Sequence, residues 1–314
     1  MSAGLVLQVV ISGLAAGAVY GLVAIGFTLV WRLTSVLQLA YGDVAGGSMF
    51  LVLLVAAGLG PVTATNVSVV RYLVAVALTL AVGAGAGAAL YLAVLRPFIR
   101  RGSTLGWIGA VVALALAVEG ALAAAFPREA YVLPDPVPFS RWTPIGLPGG
   151  ASLPVRTIWV LALGLALAVA TGYLLRRTRF GIAVEAVSSE PIGAQLVGLP
   201  VDRLTAMSFA VAGVLAGLAG IVGTPAGGTI TTQTGLLLGL KAIAAALLGG
   251  LGSPAKVYRA ALLLGVFEAV IVNLHVPGVP SLALGPAWGD VAPLAVALAF
   301  LALRSGRSMR EPVE

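Results

Sequence analysis

At 314 residues the chain is 60% hydrophobic and only 9% charged, with a mean hydropathy of +1.09, whereas soluble domains carry about 25% charged residues. Too few polar side chains remain to coat a water-facing surface, which excludes a soluble globular protein and leaves an all-α polytopic membrane bundle, a single transmembrane unit over 1–314. The absence of cysteine excludes disulfides, thiolate metal sites and a cysteine nucleophile, and the single histidine, His275, builds neither a metal site nor a catalytic triad.

The first charge is Arg32, so residues 4–31 form an uninterrupted apolar stretch too long, and too poor in basic flanks, for a cleaved signal peptide. Gly13, Gly17 and Gly21 recur every four residues and put a small face on this first span, where another backbone can approach. Further apolar segments follow at 36–59, 72–95, 105–126, 158–175, 204–222, 235–251, 260–276 and 288–303. The seventh and ninth of these nine are short and flanked by glycine or proline, which leaves eight or nine crossings or membrane-embedded segments. Gly213 and Gly217 repeat the small-residue spacing in the sixth.

Lys and Arg gather in short cytoplasmic loops. With the carboxyl end inside, Arg32, Arg96, Arg100, Arg101, Arg176, Arg177, Arg179, Arg203, Lys256, Arg259, Arg304, Arg307 and Arg310 share that side. Arg71, Arg128, Arg141 and Arg156 fall outside, and Lys241 lies within a span. This division accounts for the basic excess of 18 Lys+Arg over 11 Asp+Glu without a nucleic-acid partner. It predicts a multi-pass protein of the plasma (inner) membrane with membrane lipid around it.

Two connections are long. Residues 127–156 carry seven prolines, which deny helix and central strand and predict an extended, rigid external loop. Residues 176–203, on the cytoplasmic side, predict a helical elbow: Ile182, Ala186 and Val187 share a helical face, Pro191 opens a second short helix with Ser189 or Glu190 as its cap, and Gly198 ends it. A stabilising interfacial helix and a knob for a partner are both open readings of this elbow. A third irregular stretch, 223–235, combines glycine and Pro225 with the hydroxyls of Thr229, Thr231, Thr232 and Thr234; it reads as an external turn or a pathway-lining break.

Glu119, Lys241 and Glu268 stand out as ionisable residues well inside apolar segments. Each costs about 2.5–3.5 kcal/mol to insert, so such groups face a bundle interior or a water-filled cavity. Lys241 and Glu268 lie in consecutive segments with opposite signs, which makes them a candidate structural pair; contact with a zwitterionic substrate is the sharper alternative.

Several stretches together resemble the LivH-type permease subunits of branched-chain amino acid ABC importers. They are residues 37–43 (LQLAYGD), Arg179-Phe180-Gly181 leading through Glu190 to Gly198-Leu199-Pro200-Val201-Asp202-Arg203, and 235–253 (GLLLGLKAIAAALLGGLGS). The resemblance implies that 179–203 couples to a separate ATP-binding subunit through Arg179, Gly181, Glu185, Ala186, Glu190, Gly198, Asp202 and Arg203. It also implies Tyr41, Asp43, Glu119, Lys241 and Glu268 as pathway or intramembrane polar residues. Two ABC ATPase subunits, a second related permease chain and an external substrate-binding protein are its implied partners. Tyr41 stands where the family commonly has His, Asp43 where it commonly has Glu, and Pro191 interrupts the coupling region. The chain has no Gly-x-x-x-x-Gly-Lys-Ser/Thr run. It is therefore expected to be non-catalytic, with no cofactor of its own, and ATP and Mg are left to the partners. An ion-coupled secondary transporter and a permease for urea or short amides are the alternatives.

Overall fold

The first helix, α1 (Ala3–Thr34), is apolar on every face, and a helix of that kind has to be surrounded by protein or lipid on all sides. In the computed structural model it is the central post, packed against α6 (Val155–Arg177), α9 (Val201–Gly223), α10 (Thr234–Gly249) and α11 (Pro254–Val272). The structure describes residues 3–34, 38, 40–57, 69–101, 104–126, 131–132, 144–147, 150–223, 229–273 and 290–299. His275, Pro225, the distal arginines 304, 307 and 310, and most of the proline-rich connection lie outside them.

The remaining helices are α2 (Ala40–Ala57), α3 (Val69–Ala89), α4 (Arg96–Arg100), α5 (Thr104–Ala125), α7 (Arg179–Ser189), α8 (Pro191–Leu196) and α12 (Asp290–Ala299). Among the described residues, five helical stretches are long and apolar enough to cross a membrane: Gly4–Thr34, Val70–Ile99, Gly106–Ala125, Val155–Arg177 and Val201–Gly223. Ala40–Val55, Thr234–Gly249 and Asp290–Ala299 are apolar but shorter. All nine expected segments carry helix, and α10, with 16 residues, is short as expected of the seventh. The protein is thus a multi-pass membrane helical bundle. Its outer helices α3, α5 and α6 turn Leu73, Val74, Leu116, Leu165 and Val169 outward, as lipid-facing surfaces do.

Small residues set the central packing. A Cβ on Gly13 would sit 2.6 Å from Val266 Cα, and one on Gly17 would sit 2.5 Å from the Ala261 carbonyl oxygen. The glycine face of α1 is therefore filled by α11, backbone against backbone. Gly213 and Gly217 of α9 meet α3 in the same way, at Gly83, Gly87 and Thr79.

The third span is not a plain α-helix. Between α3 and α4 it passes through a π-turn, Leu90–Leu95, whose extra residue per turn shifts the direction in which α4 faces. Within the proline-rich connection two strand pairs appear: β1 (Tyr131–Val132) pairs antiparallel with β4 (Thr229–Ile230), and β2 (Ile145–Gly146) with β3 (Ser152–Leu153). Each ladder is only two residues long and two strands wide, so every strand is an edge, as a connection in which proline denies helix and central strand allows. The β1–β4 ladder also ties this connection to the segment before α10.

Candidate functional site: an elbow at one end of the bundle and an ion cluster near the other

The elbow begins at Thr178, where the chain leaves α6. The Thr178 hydroxyl donates to the Leu174 carbonyl at 2.6 Å and accepts from the Gly181 amide at 3.1 Å, so one side chain closes α6 and caps α7. Gly181 is the pivot: a Cβ there would collide with the Leu174 and Leu175 carbonyl groups. Arg176 and Arg177 belong to the last turn of α6, and Asp202 and Arg203 to the first turn of α9. The elbow proper is thus shorter than the expected 176–203, because Thr178 starts a new helix and Pro200 precedes the next.

Its inner face is made by Gly181, Val184 and Val187 of α7 and Ala194 of α8. Val184 packs with Leu29 and Leu175, and Val187 and Ala194 with Leu204. This corrects the expected face: Val187 is buried, while Ile182 and Ala186 point outward. Neither is Ser189 the cap of α8, since its hydroxyl turns back to the Glu185 carbonyl at 2.9 Å. Glu190 occupies the cap position without a side-chain bond, and Pro191 follows it at the first helical position, where no amide hydrogen is needed. Gly198, at φ +85°, ends α8: its amide donates to Gln195 and the Leu199 amide to Ala194, both at 3.0 Å.

The outer face of this short double helix is apolar without cover. Ile192, Leu196 and Val197 are 70%, 84% and 78% exposed, well beyond what a water-facing turn needs. Arg179, Glu185, Ala186, Glu190 and Arg203 are exposed around them. Sequence reasoning passed over Ile192, Leu196 and Val197; an apolar triplet on a loop otherwise rich in charge was the available signal.

Asp202 departs from this group. It faces the bundle, where Tyr91 of the π-turn donates to it at 2.9 Å and Arg96 at 2.7 Å. Tyr91 in turn stacks on Phe209 of α9, with ring centroids 5.3 Å apart. A cleft of about 820 Å³ lies beside this triad and is bordered by Pro191, Gln195 and Arg203. Neither Tyr91 nor the π-turn is visible as a motif in the sequence.

Towards the opposite end the pair Lys241 and Glu268 does meet: Lys241 Nζ lies 2.8 Å from Glu268 Oε1. Two partners were not foreseen. Asp290 of α12 contacts the same ammonium at 2.8 Å, and Tyr20 of α1 donates to Glu268 Oε2 at 2.9 Å. The Tyr20 ring lies 5.5 Å from Lys241 Nζ. One cation is therefore held between two carboxylates and an aromatic face, which offsets the cost of burying it. Asp290 opens the ninth apolar segment, and its charge at that edge was the clue. The cluster borders a cavity of about 510 Å³ between α1, α6 and α10, with apolar walls and Arg156 at its rim.

Tyr41, Asp43 and Glu119 do not join either group. Tyr41 is buried against Phe27 and Phe209 and donates to the Phe209 carbonyl at 3.3 Å. Asp43 is buried on α2 with one carboxylate oxygen lacking a hydrogen-bond partner, and Glu119 is half-buried on α5. None of the three lines the cleft beside Asp202 or the cavity beside Lys241.

Residues 9–301 match the family model described as branched-chain amino acid transport system / permease component. The high-affinity branched-chain amino acid transport system permease protein LivH of Salmonella typhimurium is 26% identical over 271 residues, 84% of this chain and 85% of its own. BraD of Pseudomonas aeruginosa, a permease protein of the same kind of system, is 25% identical over 263 residues with the same coverage. The autoinducer 2 import system permease protein LsrC of Yersinia enterocolitica is 35% identical over 182 residues, 56% of this chain and 46% of its own. With the family model spanning nearly the whole chain, the protein belongs to the branched-chain amino acid transport system permease family.

Proposed function

We propose that this protein is the membrane subunit of an ATP-driven importer for branched-chain or related hydrophobic amino acids. It works by alternating access, and separate ABC ATPases hydrolyse the ATP. The observation that carries the reading is the elbow: a seated double helix whose inner face packs on α1, α6 and α9 and whose outer apolar face has no cover among the described residues. A partner that closes on Ile192, Leu196 and Val197 pushes directly on the ends of three core helices. In this reading the elbow lies in the cytoplasm, two ATPase subunits and a second related permease complete the membrane assembly, and an external binding protein selects and delivers substrate. Tyr41, Asp43 and Glu119, expected as pathway or intramembrane polar residues, border neither the cleft beside Asp202 nor the cavity beside Lys241.

A second reading, import of a small polar solute by the same machinery, is supported by the likeness to the autoinducer 2 permease over about half of the chain. Reconstitution into proteoliposomes with the two ATPases, the second permease and the binding protein tests both. ATP-dependent uptake of leucine, isoleucine or valine is the expected result. Uptake that ignores ATP and follows an imposed ion gradient would sink the ATP-driven reading, and ATP-dependent uptake of a polar solute alone would establish the second.

A further inference from the structure

The cavity between α1, α6 and α10 has features the elbow does not explain. At about 510 Å³ it falls within the 300–1,000 Å³ range of small-molecule sites. Its walls are mostly apolar, with Ile11, Val19, Val160, Leu237 and Leu238 among the lining residues, and the polar groups are few. Lys241 and Asp290 both border it, as a positive and a negative charge 2.8 Å apart. The Lys241 ammonium spends one of its three N–H donors on Glu268 and one on Asp290, leaving a third. Asp290, with its side chain 45% exposed, turns one oxygen to Lys241 and has a second acceptor oxygen. Arg156 at the rim donates to the Val222 carbonyl at 3.2 Å. Lys241 and Arg156 against Glu268 and Asp290 make the charge of the region zero, which disfavours a simple anion or cation as occupant.

We propose that this cavity, lined by a single permease chain, binds a zwitterionic α-amino acid with an apolar side chain. The α-carboxylate accepts from Lys241, the α-ammonium donates to Asp290, and the side chain lies along the Val19, Val160 and Leu238 wall. An α-amino acid carries its two charges on neighbouring groups, so an adjacent ion pair of opposite polarity matches it head to tail. A ligand bearing one charge engages only one member of the Lys241–Asp290 pair and forgoes the second charge-assisted hydrogen bond. Glu268 and Tyr20 act as positioning residues that hold the ammonium in place. The inference rests on the reading of the chain as an amino-acid importer and adds to it a substrate site inside one subunit.

The test is equilibrium binding of tritiated L-leucine to the assembled permease and ATPase complex, without binding protein, in nanodiscs of phosphatidylethanolamine and phosphatidylglycerol. Saturable binding with a Kd of about 1 mM is expected of a site that must also release. The single-charge analogues 4-methylpentanoate and 3-methylbutylamine should compete at least about tenfold more weakly. Asp290→Asn should weaken leucine by roughly tenfold to a hundredfold, the factor for one charge-assisted hydrogen bond. Ala15→Phe, which fills the cavity from α1 without touching the ion cluster, must weaken it as well, and it decides the matter alone if the Asn variant fails to assemble. Unsaturable binding, analogues equal to leucine, binding unchanged in Ala15→Phe, or a resident phospholipid that leucine cannot displace each overturns the proposal. ATP-dependent uptake with binding protein, measured on the same wild-type preparation, reports separately on the importer reading, so the two can fail independently.

Discussion

Arg96 and Asp202 stand 106 positions apart in the chain and 2.7 Å apart in the fold. Their pairing, with Tyr91 on the other carboxylate oxygen, joins the first turn of α9, just past the elbow, to the π-turn of the third span. Since both side chains are about one-third exposed, the ion pair alone is worth under about 1 kcal/mol. The expected consequence is mechanical, with movement of the elbow passing to the third span through these three side chains. Asp202→Asn is expected to leave the melting temperature of the complex nearly unchanged while lowering the ratio of substrate transported to ATP hydrolysed. A variant that transports and hydrolyses in the wild-type ratio would remove the triad from the coupling route.

The glycine face of α1 makes a sharper structural prediction. Gly17→Leu forces α1 and α11 apart, because even its Cβ would lie 2.5 Å from a backbone oxygen and 2.7 Å from Leu262 Cα. Overpacking of this kind costs about 1–3 kcal/mol, more when backbone has to move. Gly120→Ala on α5 is the control, as a Cβ there meets nothing within 4 Å. Thermal melting of the purified complex should show a large drop for the first and no loss for the second.

The ion cluster predicts an order of severity. Lys241→Met leaves Glu268 and Asp290 without their shared cation, and breaking a buried pair costs about 3–5 kcal/mol. Glu268→Gln keeps the Tyr20 hydrogen bond and the Asp290 contact, so it should cost less. Asp290→Asn, at the most exposed of the three side chains, should cost least. Melting temperatures in the order wild type, Asp290→Asn, Glu268→Gln, Lys241→Met check this. A Lys241→Met protein as stable as wild type would show that the ammonium does not hold α10, α11 and α12 together.

The features legible in the sequence divide by range. Apolar run length locates all nine helical segments, because a span has to be continuous to satisfy its backbone in lipid. Glycine spacing announced close packing on α1 and α9 but not the partners, which are set by the three-dimensional arrangement. The second helix of the elbow was legible through Pro191 and Gly198, whose backbone demands are local, whereas Thr178, which closes α6 and starts α7, went unread. The facing of Ile182 was not, since two short helices under a membrane have both polar and apolar surroundings and periodicity cannot choose between them. Asp290 and Tyr20 stayed hidden because a buried cation advertises that it needs partners without saying where in the chain they lie. Tyr41 and Asp43 show the converse: a motif points to them, yet their side chains are packed in the core, away from both cavities.

The last prediction concerns the exposed face of the elbow. Leu196 and Val197 are exposed by 84% and 78%, so replacing Leu196 with Asp removes almost no contact within the chain and should leave its stability within about 0.5 kcal/mol. An apolar side chain seated in a partner's groove is another matter, since an interface anchor is worth about 2 kcal/mol or more and a carboxylate in its place is left desolvated and unpaired. Leu196→Asp should therefore weaken the ATPase by at least about thirtyfold, read as loss of co-purification at low concentration, with the permease melting as before. Glu185→Lys on the neighbouring turn should act more gently, lowering ATP-dependent uptake while the assembly survives. Full co-purification together with normal uptake in Leu196→Asp would mean that the motor grips the permease somewhere other than α8.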